Sequence, residues 1–187
     1  MEIGSTNWKL GGTLIPGGFK DGCAITTSEH EIWLIGGTNS FDESRILAFN
    51  TMNHTFEVLP IKLNQGRSKH QCILIPGTKS IIITGGYAYS KKVNLDSTEI
   101  LNIVTGNITM AAPMNFKRWL FGIGILNLEN KDRVVVFGGM GQDYVSMNTV
   151  EIYIAENDTW QVIDIELQKE NYQFGFLTIK NNTIPLK

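Results

Sequence analysis

Between Arg133 and Ile163 the order of apolar and polar positions sets out three strands and their turns. Val134, Val135, Val136 and Phe137 form an unbroken, mostly β-branched apolar run, as expected of a strand covered on both faces. Gly138-Gly139 ends it, because two residues without Cβ let the backbone turn sharply and pack closely. A polar loop, MGQDYVSMN, follows. Val150, Ile152 and Ile154 then alternate with Glu151 and Tyr153 at the period of two that places side chains on opposite faces of a strand. Glu156-Asn157-Asp158 supplies turn chemistry, and Trp160, Val162 and Ile163 begin the next strand.

The same unit occurs twice more. Gly36-Gly37 follows IWLI, with Phe49 and Phe56 seven residues apart beyond it, as Tyr153 and Trp160 are beyond Gly138-Gly139. Gly85-Gly86 follows IIIT, and there Leu101 and Ile108 fill the two positions. The doublets are 49 residues apart (36 to 85) and then 53 (85 to 138). A period near fifty with four strands per unit points to a propeller. An apolar strand, Gly-Gly, a Tyr-like position, a short turn and a Trp-like position together resemble the kelch repeat. The expected fold is therefore all-β, a kelch-type β-propeller with three complete four-stranded blades and partial blades at both ends.

On this reading residues 1–19 are the tail of a preceding blade, with Trp8 at the Trp160 position. Blade one covers 20–60, blade two 67–110 and blade three 118–165, and 171–187 begins a fourth, since NYQFGFLTI matches RWLFGIGIL. Kelch propellers usually have five to seven blades. The expectation is a piece of a longer propeller or a truncated gene product; the alternative is a small ring whose ends share one composite blade. An open arc would expose strand edges and the apolar faces of its terminal blades, which favours self-association.

Composition adds exclusions. Hydrophobic residues make up 42% and charged residues 18%, values of a soluble globular protein. A formal net charge of −2 gives no electrostatic case for nucleic acid or an anionic membrane. No apolar run approaches the twenty residues of a membrane-spanning helix. MEIGSTNWKL has neither a basic start nor an apolar core, so no signal peptide is visible and the chain reads as cytoplasmic. Cys23 and Cys72 each lie thirteen residues before a glycine doublet, on the innermost strands of neighbouring blades. They are expected to be buried thiols acting as small hydrophobes, with a bridge between them as the alternative.

Catalytic chemistry is sparse. His30, His54 and His70 are scattered without metal-ligand spacing, and no G-x-S-x-G elbow is present. Glu99 and Glu151 recur two residues before Leu101 and Tyr153 and read as structural carboxylates rather than paired catalytic acids. Copper-radical galactose oxidases also use kelch propellers, but nothing here matches their metal ligands. No enzyme and no cofactor are expected.

What remains is surface. A propeller gathers on one face the loops joining second to third strands and those joining successive blades, and rigidly positioned loops carry function. Here they hold Phe41, Asp42, Arg67, Tyr87, Tyr89, Lys91, Lys92, Arg118, Trp119, Gln142, Asp143 and Tyr144. Tyr, Trp and Arg are enriched at interface hot spots, which makes these the candidate partner contacts. For Arg67 and Arg118, each just before an inner strand, a bond to nearby backbone is an equal alternative. The resemblance implies a non-catalytic module binding a protein or peptide. In longer kelch proteins such modules serve as substrate receptors of cullin-type ubiquitin ligases, behind a BTB domain, or bind actin. The second reading is an extracellular glycosylated propeller, drawn from four N-x-T sequons at Asn53, Asn107, Asn157 and Asn181.

Overall fold

The structure, a computed structural model, describes residues 15–38 and 42–172. Strands are numbered in chain order. The first sheet comprises β1 (Cys23–Ser28), β2 (Glu31–Ile35), β3 (Arg45–Asn50) and β4 (Thr55–Lys62). Next come β5 (Gln71–Leu74) and β6 (Ser80–Thr84), a small separate hairpin of β7 (Tyr87–Ala88) and β8 (Val93–Asn94), then β9 (Thr98–Asn102) and β10 (Ile108–Ala111). The third sheet holds β11 (Gly122–Leu128), β12 (Lys131–Phe137), β13 (Thr149–Ile154) and β14 (Thr159–Glu166). All three larger sheets are four-stranded antiparallel meanders, with strands adjacent in the order in which the chain makes them. Among the described residues no α-helix occurs, and one 3₁₀ turn spans Gln142–Tyr144. The connection that holds Tyr87, Tyr89, Lys91 and Lys92, expected to be a loop, contains the β7–β8 hairpin.

The unbroken apolar runs arise because strands are buried on both faces. Ile81 and Ile83 of β6 pack with Cys23, Trp33, Ile35 and Ile46 of the first sheet. Ile82, between them, packs with Phe121, just before β11, and with Ile123, Val134 and Val136 of the third. All three isoleucines are fully buried, and burying one such side chain stabilises by about 1.5–3 kcal/mol. The residues spaced by seven are direct cross-strand partners: Phe49 with Phe56, Leu101 with Ile108, and Tyr153 with Trp160. The two aromatic pairs place ring centroids 4.6 and 5.2 Å apart, the close offset packing that aromatic pairs prefer.

Each glycine doublet is a joint between consecutive units. Gly85 and Gly86 have φ of +64° and +98°, in the region that disfavours a Cβ. The amide of Gly86 donates to the Arg118 carbonyl at 2.8 Å, and a Cβ on Gly85 would lie 2.7 Å from that same oxygen. Gly37 makes the corresponding bond to Arg67, and Gly139 to Asn171. A second joint uses main chain alone. The Lys69 amide donates to Asp21 at 2.5 Å and the Leu120 amide to Lys69 at 3.0 Å, all three residues having left-handed φ between +53° and +58°.

Cys23 and Cys72 are not free thiols. They form a disulfide linking the first sheet to the second, with Cα atoms 5.9 Å apart. This corrects the expectation of buried thiols: β1 and β5 approach closely enough for equivalent positions to fall inside bridging distance. Trp8, Phe41 and residues 173–187 lie outside the described residues, and so does the expectation of a shared composite blade.

Candidate functional site

Antiparallel meanders return the loop after each second strand and the connection to the next sheet to the same edge. Backbone pairing locks the two together. Ser68 exchanges hydrogen bonds with Tyr87 at 2.9 and 2.7 Å, and Trp119 does so with Met140 at 3.0 and 2.8 Å. The Asn94 side-chain amide then donates to the Gly141 carbonyl at 3.0 Å, tying the β7–β8 hairpin to the loop of the third unit. Between these loops opens a cleft of about 690 Å³.

Aromatic rings and lysines line this cleft. Tyr87 and Tyr89 meet edge to face with centroids 4.9 Å apart, and Trp119 and Tyr144 likewise at 5.7 Å. Lys69 Nζ sits 4.6 Å from the Trp119 ring centre and 5.6 Å from that of Tyr89, within cation–π range of both. Lys92 and Lys117 add two further cations, against Asp143 as the one acidic residue of the lining among the described residues. Tyr144 is 74% exposed, so its ring is open to a ligand. The Trp119 indole N–H, by contrast, is buried and has no acceptor among the described residues. Leaving such a donor unpaired costs about 1–3 kcal/mol.

Seven of the expected contacts, Tyr87, Tyr89, Lys92, Trp119, Gln142, Asp143 and Tyr144, line the cleft. Lys91 is exposed in the β7–β8 turn but is not part of the lining. Asp42 lies elsewhere, paired with Lys62 at 2.7 Å and accepting from Ser44, and these bonds hold its carboxyl at about 2, below the usual range. Phe41 lies outside the described residues. Lys69, Lys117, Val93 and Asn94 escaped the sequence reading. The two lysines stand beside Arg67 and Arg118 in the same connections, a proximity that does not by itself show which way they face.

Arg67 and Arg118 do not face a partner. Both are fully buried. Arg67 donates to the Gly85 and Ser97 carbonyls, each at 2.9 Å, and to Glu99 at 2.8 Å. Arg118 repeats the arrangement with Gly138, Thr149 and Glu151 at 2.8, 3.2 and 2.7 Å. Each glutamate also accepts a backbone amide from the preceding connection, Asn64 for Glu99 and Asn115 for Glu151, both at 2.7 Å. Burial pushes both guanidinium groups toward losing their charge, and the paired glutamate opposes it. The expectation of partner contact is thus corrected: these side chains brace the loops that shape the cleft. In the first unit Leu47 stands at the glutamate position, and Arg45 of β3 reaches the Pro16 and Gly18 carbonyls instead.

Among the described residues no three of His, Cys, Asp and Glu are grouped to hold a metal ion. No protein-family model matches the chain, and no curated protein matches it significantly.

Proposed function

We propose that the chain forms blades of a kelch-type β-propeller and serves as a non-catalytic module that binds an acidic segment of a protein or peptide. Three successive four-stranded meanders joined by positive-φ glycine doublets support the propeller reading. The binding reading is carried by one observation. Three lysines and four aromatic rings converge on a single cleft of a chain whose net charge is −2. Carboxylates would pair with Lys69, Lys92 and Lys117, while apolar side chains stack on Tyr89 and Tyr144.

Selection from a displayed random peptide library tests this. Acidic sequences should be enriched, and their affinity should fall about tenfold or more on Lys92→Glu or Tyr144→Ala, both exposed enough to leave folding intact. Binding should weaken as salt rises, because partly exposed ion pairs are screened. Enrichment without acidic character, or binding indifferent to both substitutions, would overturn the proposal.

A further inference from the structure

The hairpins at the far end of the outer strands carry chemistry that the cleft does not use. Asn53-His54-Thr55 lies in the β3–β4 turn, Asn107-Ile108-Thr109 at the end of the β9–β10 turn and Asn157-Asp158-Thr159 in the β13–β14 turn. Three successive sheets thus present an N-x-T triplet in the same hairpin. Asn53 and Asn157 hold the same place, three residues before Phe56 and Trp160. All three asparagines are exposed. In two of them the side chain is already arranged: the Thr55 hydroxyl donates to Asn53 Oδ1 at 2.7 Å, and the Thr159 hydroxyl to Asn157 Oδ1 at 2.8 Å. With Oδ1 engaged by the threonine, Nδ2 is the atom left for modification. Asn181 lies outside the described residues.

The cysteines supply an independent observation. Both cysteines of the chain are consumed in the Cys23–Cys72 bridge, and disulfides persist in oxidising compartments while being rare in the cytosol. An exposed N-x-T triplet is an acceptor for N-linked glycan in a secreted protein.

We infer that Asn53, Asn107 and Asn157 are N-glycosylation sites and that the chain matures in the secretory pathway. In the transfer, Nδ2 gives up a proton and bonds to the anomeric carbon of an oligosaccharide carried on a lipid diphosphate. The bond from that carbon to the diphosphate oxygen breaks, the lipid diphosphate leaves, and nothing is oxidised or reduced. The hairpins sit one strand length from the cleft edge, ~17–20 Å, so the glycans would cover the opposite rim and leave the cleft open. The inference is independent of what the cleft binds, and it departs from the cytoplasmic expectation raised by the N-terminal sequence.

Treating the protein purified from its native source with peptide-N-glycosidase tests it. The expected result is a gain in electrophoretic mobility, with aspartate appearing by mass spectrometry at one or more of positions 53, 107 and 157. Both cysteines should resist alkylation until a reductant is added. Thr55→Ala and Thr159→Ala, at the exposed first residues of β4 and β14, should each abolish modification at the asparagine two residues before. Unmodified asparagine at all three positions would overturn the inference. So would free thiols at Cys23 and Cys72, since glycan and disulfide are assigned to one compartment.

Discussion

Position 70 places an imidazole where the third unit has a phenyl ring. A Cβ on Gly36 would meet His70 Cε1 at 2.8 Å, and one on Gly85 would meet Phe121 Cε1 at 2.7 Å, so the two rings plug equivalent joints. Burial, reinforced by the charge of Arg67, holds His70 neutral, with its pKa pushed down to about 3. The unfolded chain, with an ordinary histidine near 6.5, takes up the proton that the folded chain refuses. Stability is therefore complete above about pH 6.5 and declines as pH falls toward 3, by about 1.4 kcal/mol per pH unit. Urea titrations between pH 7 and 4.5 should show this decline in the native protein, and His70→Phe should largely flatten it. Staying above pH 4.5 keeps Asp42, which titrates near 2 in the folded state, from contributing. The same pH slope in both proteins would rule out the imidazole as its source.

Strand by strand, the buried Arg–Glu pairs are what connect one unit's entry loop to its third strand. Arg118→Met should destabilise by about 3–5 kcal/mol, chiefly because Glu151 is left as an unpaired buried charge. Adding Glu151→Gln to that variant should recover part of the loss, since the two residues share one network and their effects are not additive. Additive losses in chemical denaturation would contradict that account. The strands themselves were largely legible, because β-branched runs, glycine doublets and Asn/Asp turns mark their ends locally. The apolar runs IWLI, IIIT and VVVF that precede the three doublets fall within β2, β6 and β12. The arginines were not legible in the same way. Whether Arg118 faces solvent depends on Glu151, 33 residues further along, and spacing alone does not say that the two meet. The β7–β8 hairpin was hidden for a different reason: two residues per strand are too few to display alternation. Of the cleft, the aromatic tips could be read from the repeat, but Lys69 joins them only through the packing of one unit on the next.

Across the whole molecule, the bridge between Cys23 and Cys72 closes a span of 49 residues and fastens the first sheet to the second. Loop-closure entropy assigns a bridge of that span about 4 kcal/mol. Comparing oxidised and reduced protein in urea should show a loss of that size, whereas coincident midpoints would mean that the stacked sheets hold themselves without it. The main-chain joint from Asp21 to Lys69 to Leu120 has a different consequence. It holds an acid, a base and a hydrocarbon in one backbone geometry, at a cost of roughly 1–2 kcal/mol per left-handed residue. A coupling made only of amides and carbonyls does not read the side chain, so long as the residue tolerates a left-handed φ and keeps its N–H. The scaffold therefore fixes where a side chain stands without dictating its chemistry, and at position 69 that freedom has been filled by a lysine resting on an indole.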